Sequence, residues 1–196
     1  MTIDRQFQVI SAGFAGDAAT AISALTDEDS AVRASALRAL HRIGVLEALT
    51  LSTLLTDSHH EVRRTAVELS ATRTEVIIHP YIDDQDIFVA EMTAWSLGER
   101  TSIRDIEIET LIDRTTSHEE PIVREACAAA LGALGDERGL VAILAACKDK
   151  PAVRRRAILA LAPFEGELVD AALQTALEDK DWQVRQNAED LINPRS

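Results

Sequence analysis

Aromatic residues are scarce: only 4% of 196, although 46% of the chain is hydrophobic. The apolar mass is therefore mostly Ala, Leu, Ile and Val, which suit closely spaced helices. Cysteine occurs only at Cys127 and Cys147. Two thiols are too few for a disulfide framework, and both fall on apolar helix faces where free cysteine fills core. No long hydrophobic run is present. The longest, Leu140 to Cys147, is far short of the roughly 20 residues that span a bilayer, which excludes a membrane anchor of that kind. The first residues, MTIDRQFQV, include Asp4 and hold no apolar stretch of the sort a secretion signal needs, so a cytoplasmic location is expected. Positive charge is short as well, with 20 basic residues against 33 acidic and a net charge of -13. That balance repels phosphate backbones and argues against nucleic acid as a partner. Gly-rich phosphate loops, a Ser or Cys nucleophile with a His signature, and zinc spacing are all missing. No cofactor and no catalytic residue is expected.

What the chain has is a recurrence. The stretch from Glu119 to Asp136, EEPIVREACAAALGALGD, places Val123, Cys127, Ala130, Leu131 and Leu134 on one side of a helix of period 3.6. Its Val-Arg step returns as Val32-Arg33, Val62-Arg63, Val153-Arg154 and Val184-Arg185, and in altered form as Val89-Ala90. The valines are separated by 30, 27, 34, 30 and 31 residues. Spacing of that length marks stacked helical hairpins, none of which buries its apolar face alone. Six pairs are predicted, with inner helices near 30–43, 61–71, 88–98, within 119–136, and near 151–162 and 181–192.

Ahead of the first pair, Ile3, Phe7, Ile10 and Phe14 predict a short helix over residues 1–16 that caps the open end and is stopped by Gly13 and Gly16. The third pair is irregular. Pro80 should shorten or kink its outer segment, Ala90 replaces the Arg, and extra residues follow at Glu99 to Arg104. Such irregularity marks either a bend or a functional insertion. In the second pair Ser70 stands where Leu is expected, and Leu69 is expected to take over its packing. The last helix ends at Asn193-Pro194, and its polar Gln186, Asn187, Glu189 and Asp190 suit a C-terminal cap.

Six units carrying V-R-x-x-A-x-x-A-L, as in Val32-Arg33-Ala34-Ser35-Ala36-Leu37-Arg38-Ala39-Leu40, resemble the HEAT-like repeats first named from phycobilisome lyase subunits. The resemblance runs from about Asp17 to Ile192. It implies an all-α, right-handed α-solenoid of about six HEAT-like hairpins, with residues 17–196 as one repeat domain behind the cap. That fold serves binding scaffolds, chromophore lyases, a hydroxylase and a DNA glycosylase. The expected function is a non-catalytic protein-interaction or assembly scaffold. The alternative is a lyase-type or chaperone-like subunit holding a chromophore or cofactor in the same cleft.

The Val-Arg step has its own physical reading. With Val facing the core, the next residue lies at the core's edge, where an Arg stem covers apolar surface and its head meets Asp or carbonyl groups of the turns, such as Asp29, Asp57, Asp149 and Asp179. Arg33, Arg63, Arg124, Arg154 and Arg185 are thus expected to form a structural ladder. Residues two, six and nine after each Val point away from the core, toward the side that is concave in such stacks. Among these, Arg38, Arg64, Glu68, Glu91, Trp95, Glu125, Arg155 and Leu159 are the candidate partner-binding residues. Trp95 is either a hot spot or, with a small helix rotation, the filling of a junction between repeats.

His59-His60-Glu61 and His118-Glu119 precede the Val step and read as polar turns. In deoxyhypusine hydroxylase, built from similar repeats, His-Glu pairs directly after the step hold iron. Here those places carry Ala34-Ser35, Arg64-Thr65, Glu91-Met92, Glu125-Ala126, Arg155-Arg156 and Gln186-Asn187, so the resemblance implies no such iron site.

Overall fold

A computed structural model of the chain describes residues 2–193. The Ile3 side chain, invoked in the N-terminal stripe, and Pro194, placed at the end of the last helix, lie outside the described residues. Among the described residues there are twelve α-helices and no strand. In chain order they are α1 (Thr2–Ala15), α2 (Ala18–Ser23), α3 (Ser30–Ile43), α4 (Ala48–Leu54), α5 (His60–Leu69), α6 (Ile87–Gly98), α7 (Asp105–Ser117), α8 (Pro121–Leu134), α9 (Leu140–Ala146), α10 (Pro151–Ala160), α11 (Glu167–Ala176) and α12 (Trp182–Ile192).

The inner helices α3, α5, α6, α8, α10 and α12 fall where the Val period puts them. Each of the six valines is buried, at 0% exposure for Val32, Val62, Val89, Val123 and Val153 and 1% for Val184. A fully buried valine contributes about 1.5–3 kcal/mol, so the period in sequence is also a period in burial energy. The ends of the inner helices are set locally. Asp29 Oδ1 accepts the Ala31 N–H at 2.8 Å, and Asp181 Oδ1 accepts the Gln183 N–H at 2.9 Å, each satisfying a donor that the first turn leaves free. Gly44 ends α3 with φ 85°, and its N–H returns to the carbonyls of Leu40 and His41.

Chain packing divides the protein into two units, Met1–Ser96 and Leu97–Ser196, the division falling near the end of α6. In the first unit α1 packs on α3, and α3 on α5; in the second α7 packs on α8, α8 on α10, and α10 on α12. The second unit depends on two close helix approaches. A Cβ at Gly98 would lie 2.8 Å from Ala130 Cα, and one at Gly132 would lie 2.6 Å from Ala160 Cα.

The same approach corrects the reading of the N-terminus. Gly13 does not stop α1; it lies inside the helix, where a Cβ would meet Ala39 Cα at 2.9 Å. Gly16, with φ 75°, lies just past its end. Gly98 and Gly132 each stand nine residues after a period valine. Counting back nine from Gly13 puts Asp4 in the valine position and Arg5 in the ladder position. α1 is thus a further helix in inner-helix register, hidden from a search on valine. It packs through Val9 and Ala12, at 0% and 6% exposure, and leaves Phe7, Ile10 and Phe14 outward at 69%, 41% and 70%. The two phenylalanines of the predicted capping stripe are therefore exposed. Phe14 instead carries the Arg42 guanidinium over its ring at 4.0 Å.

Pro80 has the foreseen effect. The third outer element is reduced to a 3-10 turn, His79–Asp83, yet Val76, Ile78 and Ile82 remain buried and keep the core filled. Ser70 keeps its buried position by donating to the Ala66 carbonyl at 2.7 Å, while Leu69 is only half-buried and does not replace it. The extra residues Glu99 to Arg104 bring Arg100 and Arg104 to Glu107, which is fully buried on α7. Arg100 Nη1 lies 2.6 Å from Glu107 Oε1, Arg104 Nη2 bonds the same oxygen, and the Arg104 N–H reaches Oε2 at 3.0 Å.

Candidate functional site

Four arginines of the ladder, Arg33, Arg63, Arg124 and Arg154, share one geometry. Arg33 donates through Nε and Nη2 to the two carboxylate oxygens of Asp57 at 2.8 and 2.7 Å, and through Nη1 to the carbonyls of Asp27 and Glu28. Arg63 does the same with Asp84 and the carbonyls of Asp57 and Ser58. Arg124 pairs with Asp149 and Arg154 with Asp179 in the same way. Each arginine therefore ties the loop before its own helix to the loop of the next repeat. The paired, planar donors match a carboxylate in a way a lysine cannot. Arg185 holds the carbonyls of Asp179 and Lys180 but meets no carboxylate among the described residues. Arg5 reaches Asp27 at 3.4 Å as a weaker first rung. Asp29, named as a partner from sequence, caps α3 instead, and Asp84 is the partner that the sequence reading missed.

These contacts hold the aspartates ionised. For Asp149 and Asp179 the arginine hydrogen bond is the main cause of a lowered pKa. At Asp57 and Asp84 burial opposes ionisation, but the arginine bond and a loop N–H together outweigh it. A carboxylate whose folded pKa is depressed stabilises the fold above its unfolded value, and that stabilisation is lost as pH falls through the folded value. Thermal melts are accordingly expected to be flat from pH 8 to 5 and to fall below about pH 4, the ordinary aspartate range. Asp149→Asn should start from a lower melting temperature and show a shallower acid fall. An equally steep fall in that variant would remove the ladder as its source.

The candidate binding residues meet different fates. In the first unit Arg38 Nη2 lies 3.5 Å from Glu68 Oε2, both side chains being about half-exposed, which makes the pair worth little to stability. Arg64 is exposed and Glu91 half-exposed, and neither side chain has a partner among the described residues. Trp95 is 48% exposed and so does not fill a junction. In the second unit Leu159 is 42% exposed. Arg155 is not open: it clasps Asp181 through Nε at 3.0 Å and through Nη2. That contact, with the cap bonds from Gln183 and Val184, pulls the Asp181 carboxyl down to about 2. Glu125 faces Arg156 Nε at 3.6 Å.

Not every predicted outward position points outward. Ala34 and Ala71 are buried at 5%, and the glycines nine residues after Val89 and Val123 lie where the following inner helix presses closest. Position nine is a packing position at Ala71, Gly98 and Gly132, whereas Ala162 is exposed. Sequence reasoning also missed a set of exposed apolar residues on the outer helices. Leu49 in the first unit, and Ile106, Val141 and Leu168 in the second, are 50–75% exposed. Each is the second residue of its helix, a place where an apolar residue off the core face could have been noticed.

The histidines serve local structure. His59 Nδ1 accepts the Glu61 N–H at the start of α5, His118 Nδ1 accepts the Glu120 N–H, and His60 Nδ1 lies 3.2 Å from Asp86 Oδ2. Among the described residues no three His, Cys, Asp or Glu stand together as metal ligands, and no helix is long and apolar enough to cross a membrane. Cys127 is buried, and burial pushes the Cys147 thiol up to about 11, which leaves little thiolate at neutral pH.

The family pattern described as HEAT repeats matches residues 108–193. A search of the curated proteins finds no match to the sequence. Solved structures do match. A designed armadillo repeat protein in complex with the peptide (KR)4 is 17% identical with a TM-score of 0.61, over 88% of this chain and 96% of that one. Escherichia coli YibA is 18% identical with a TM-score of 0.64, over 88% and 68%. Human deoxyhypusine hydroxylase in complex with glycerol is 19% identical with a TM-score of 0.51, over 98% and 79%. At these identities the likeness shows the fold: an all-α fold of the helical-repeat solenoid kind. The phycobilisome lyase subtype finds no counterpart among these matches.

Proposed function

We propose that this protein is a non-catalytic interaction or assembly scaffold that holds a protein partner against the exposed flank of its inner helices, the side that is concave in repeat stacks. The observation that carries the reading is Trp95. An indole left 48% exposed on an inner helix whose Val89, Ala90, Ala94 and Leu97 are fully buried, beside side chains whose charges are not all paired, has the make-up of an interface anchor. The partner is a protein and not a nucleic acid, since a net charge of -13 repels phosphate. The reading draws support from repeat proteins of the same fold whose descriptions concern peptides, one bound to (KR)4 and one designed for modular peptide recognition. A cytoplasmic location accords with this role and with a cysteine content too low for a disulfide framework.

The test compares the immobilised chain with its Trp95→Ala variant in a pull-down. A partner retained in stoichiometric amount by the first and reduced at least tenfold with the second is the expected result. The substitution removes an exposed ring, so the variant should melt within a few degrees of the parent. Equal recovery of every bound protein by the two would sink the proposal.

A further inference from the structure

Arg64 on α5 and Glu91 on α6 each stand two residues after a period valine, on successive inner helices. Those helices are in contact: Ser96 Oγ donates to the Val67 carbonyl at 3.2 Å, and Arg63 of α5 clasps Asp84 in the loop before α6. One helix earlier, Arg38 and Glu68, six residues after their own valines, meet at 3.5 Å. Matching positions on successive inner helices are therefore within side-chain reach, and at the six-residue position the charges are used up internally. At the two-residue position they are not: Arg64 and Glu91 pair neither with each other nor with any other described residue. Four residues beyond Glu91, one turn along the same helix face, is the exposed Trp95.

We infer that this flank of the first unit recognises a peptide segment in polyproline-II conformation carrying one acidic and one basic side chain three residues apart. This rests on the scaffold reading above. Packed helices lie about 8–10 Å apart, and a polyproline-II chain advances about 3.1 Å per residue with three residues per turn. Side chains three residues apart on such a chain share one face and span about the distance between neighbouring inner helices. The acidic side chain meets the Arg64 guanidinium, which favours a carboxylate held by two N–H donors. The basic side chain meets the Glu91 carboxylate with its stem or guanidinium over the Trp95 ring, where the indole face attracts a cation. A purely basic segment would set a cation against Arg64, and a purely acidic one would set a carboxylate against Glu91. The overall charge of -13 attracts basic peptides in general; the Arg64–Glu91 pair selects among them.

The experiment is fluorescence-polarisation binding of labelled eight-residue peptides to the full chain. The probes carry Asp and Arg three apart, in both orders, on an otherwise neutral Pro-rich sequence that favours polyproline II, with (KR)4 and an all-Asp peptide as comparisons. At least one mixed peptide should bind about tenfold more tightly than either comparison. Changing its Asp to Asn should cost about tenfold against the parent and nothing against Arg64→Gln. Changing its Arg to Gln should likewise cost about tenfold against the parent and nothing against Glu91→Gln. Pairwise coupling of this kind assigns each contact, and circular dichroism checks that both surface variants fold. Equal or tighter binding of (KR)4, absence of coupling, or no peptide binding at all overturns the inference. If it falls while the Trp95-dependent pull-down succeeds, the scaffold reading stands with a different recognition chemistry; if the pull-down also fails, both fall.

Discussion

Replacing Glu107 with leucine is expected to destabilise the protein by about 3–5 kcal/mol, the usual cost of breaking a buried ion pair from one side, and to lower Tm by about 10 °C. The Glu107 and Arg100 side chains are both 0% exposed, with 2.6 Å between Nη1 and Oε1. Burial alone would push the Glu107 carboxyl up, but the Arg104 hydrogen bonds and the Arg100 charge hold it below the ordinary glutamate value. Leucine removes the carboxylate and leaves the Arg100 charge inside. Arg104 is 40% exposed and can turn to water. The second half of the prediction follows: Arg100→Met combined with Glu107→Leu should recover most of the loss, because apolar replacement of a whole buried pair is often neutral. Urea unfolding of the two variants measures both quantities. A double variant no more stable than the single one would show that the cluster does not act as a pair.

The second large effect concerns the ladder. Arg124→Ala should cost about 3 kcal/mol, since it leaves the Asp149 carboxylate and the carbonyls of His118 and Glu119 without their donor. The pair is 11% and 20% exposed, so water can replace little of it. Arg185→Ala is the internal control. It has the same residue type and register, but it is exposed and holds carbonyls alone, which limits its cost to about 1 kcal/mol or less. Equal losses from the two variants would mean that the carboxylate contributes nothing. That result would also remove the ladder's role in the acid response.

The period was legible because the residues that recur are the most deeply buried. A valine that must face the core in every repeat leaves its spacing in the sequence, and the Arg beside it follows from the position of the core's edge. α1 escaped that search because Asp4 holds the valine place, and the signal that finds it is the close-packed Gly13, nine residues on. The Glu107 cluster escaped because Arg100, Arg104 and Glu107 read as ordinary surface charge, and only three-dimensional packing shows that α7 turns Glu107 inward. The candidate site was legible in part. Trp95, Arg64 and Glu91 are available as the register implies, whereas Arg155 is taken by Asp181. That depends on a loop in which Asp179 already serves Arg154 and a second aspartate stands two residues on. Whether a given outward charge is free depends on such loop partners, which helical periodicity does not encode.

Every full rung of the ladder joins residues only 21–25 apart in the chain. Contacts so short in sequence cost little loop-closure entropy. Proteins dominated by them fold in microseconds to milliseconds, and helix-repeat arrays can nucleate at any unit and grow outward. For this chain the arginines would act as couplers of that growth. Each newly formed helix pair offers the carboxylate that its predecessor lacks, so order spreads by neighbour-to-neighbour addition.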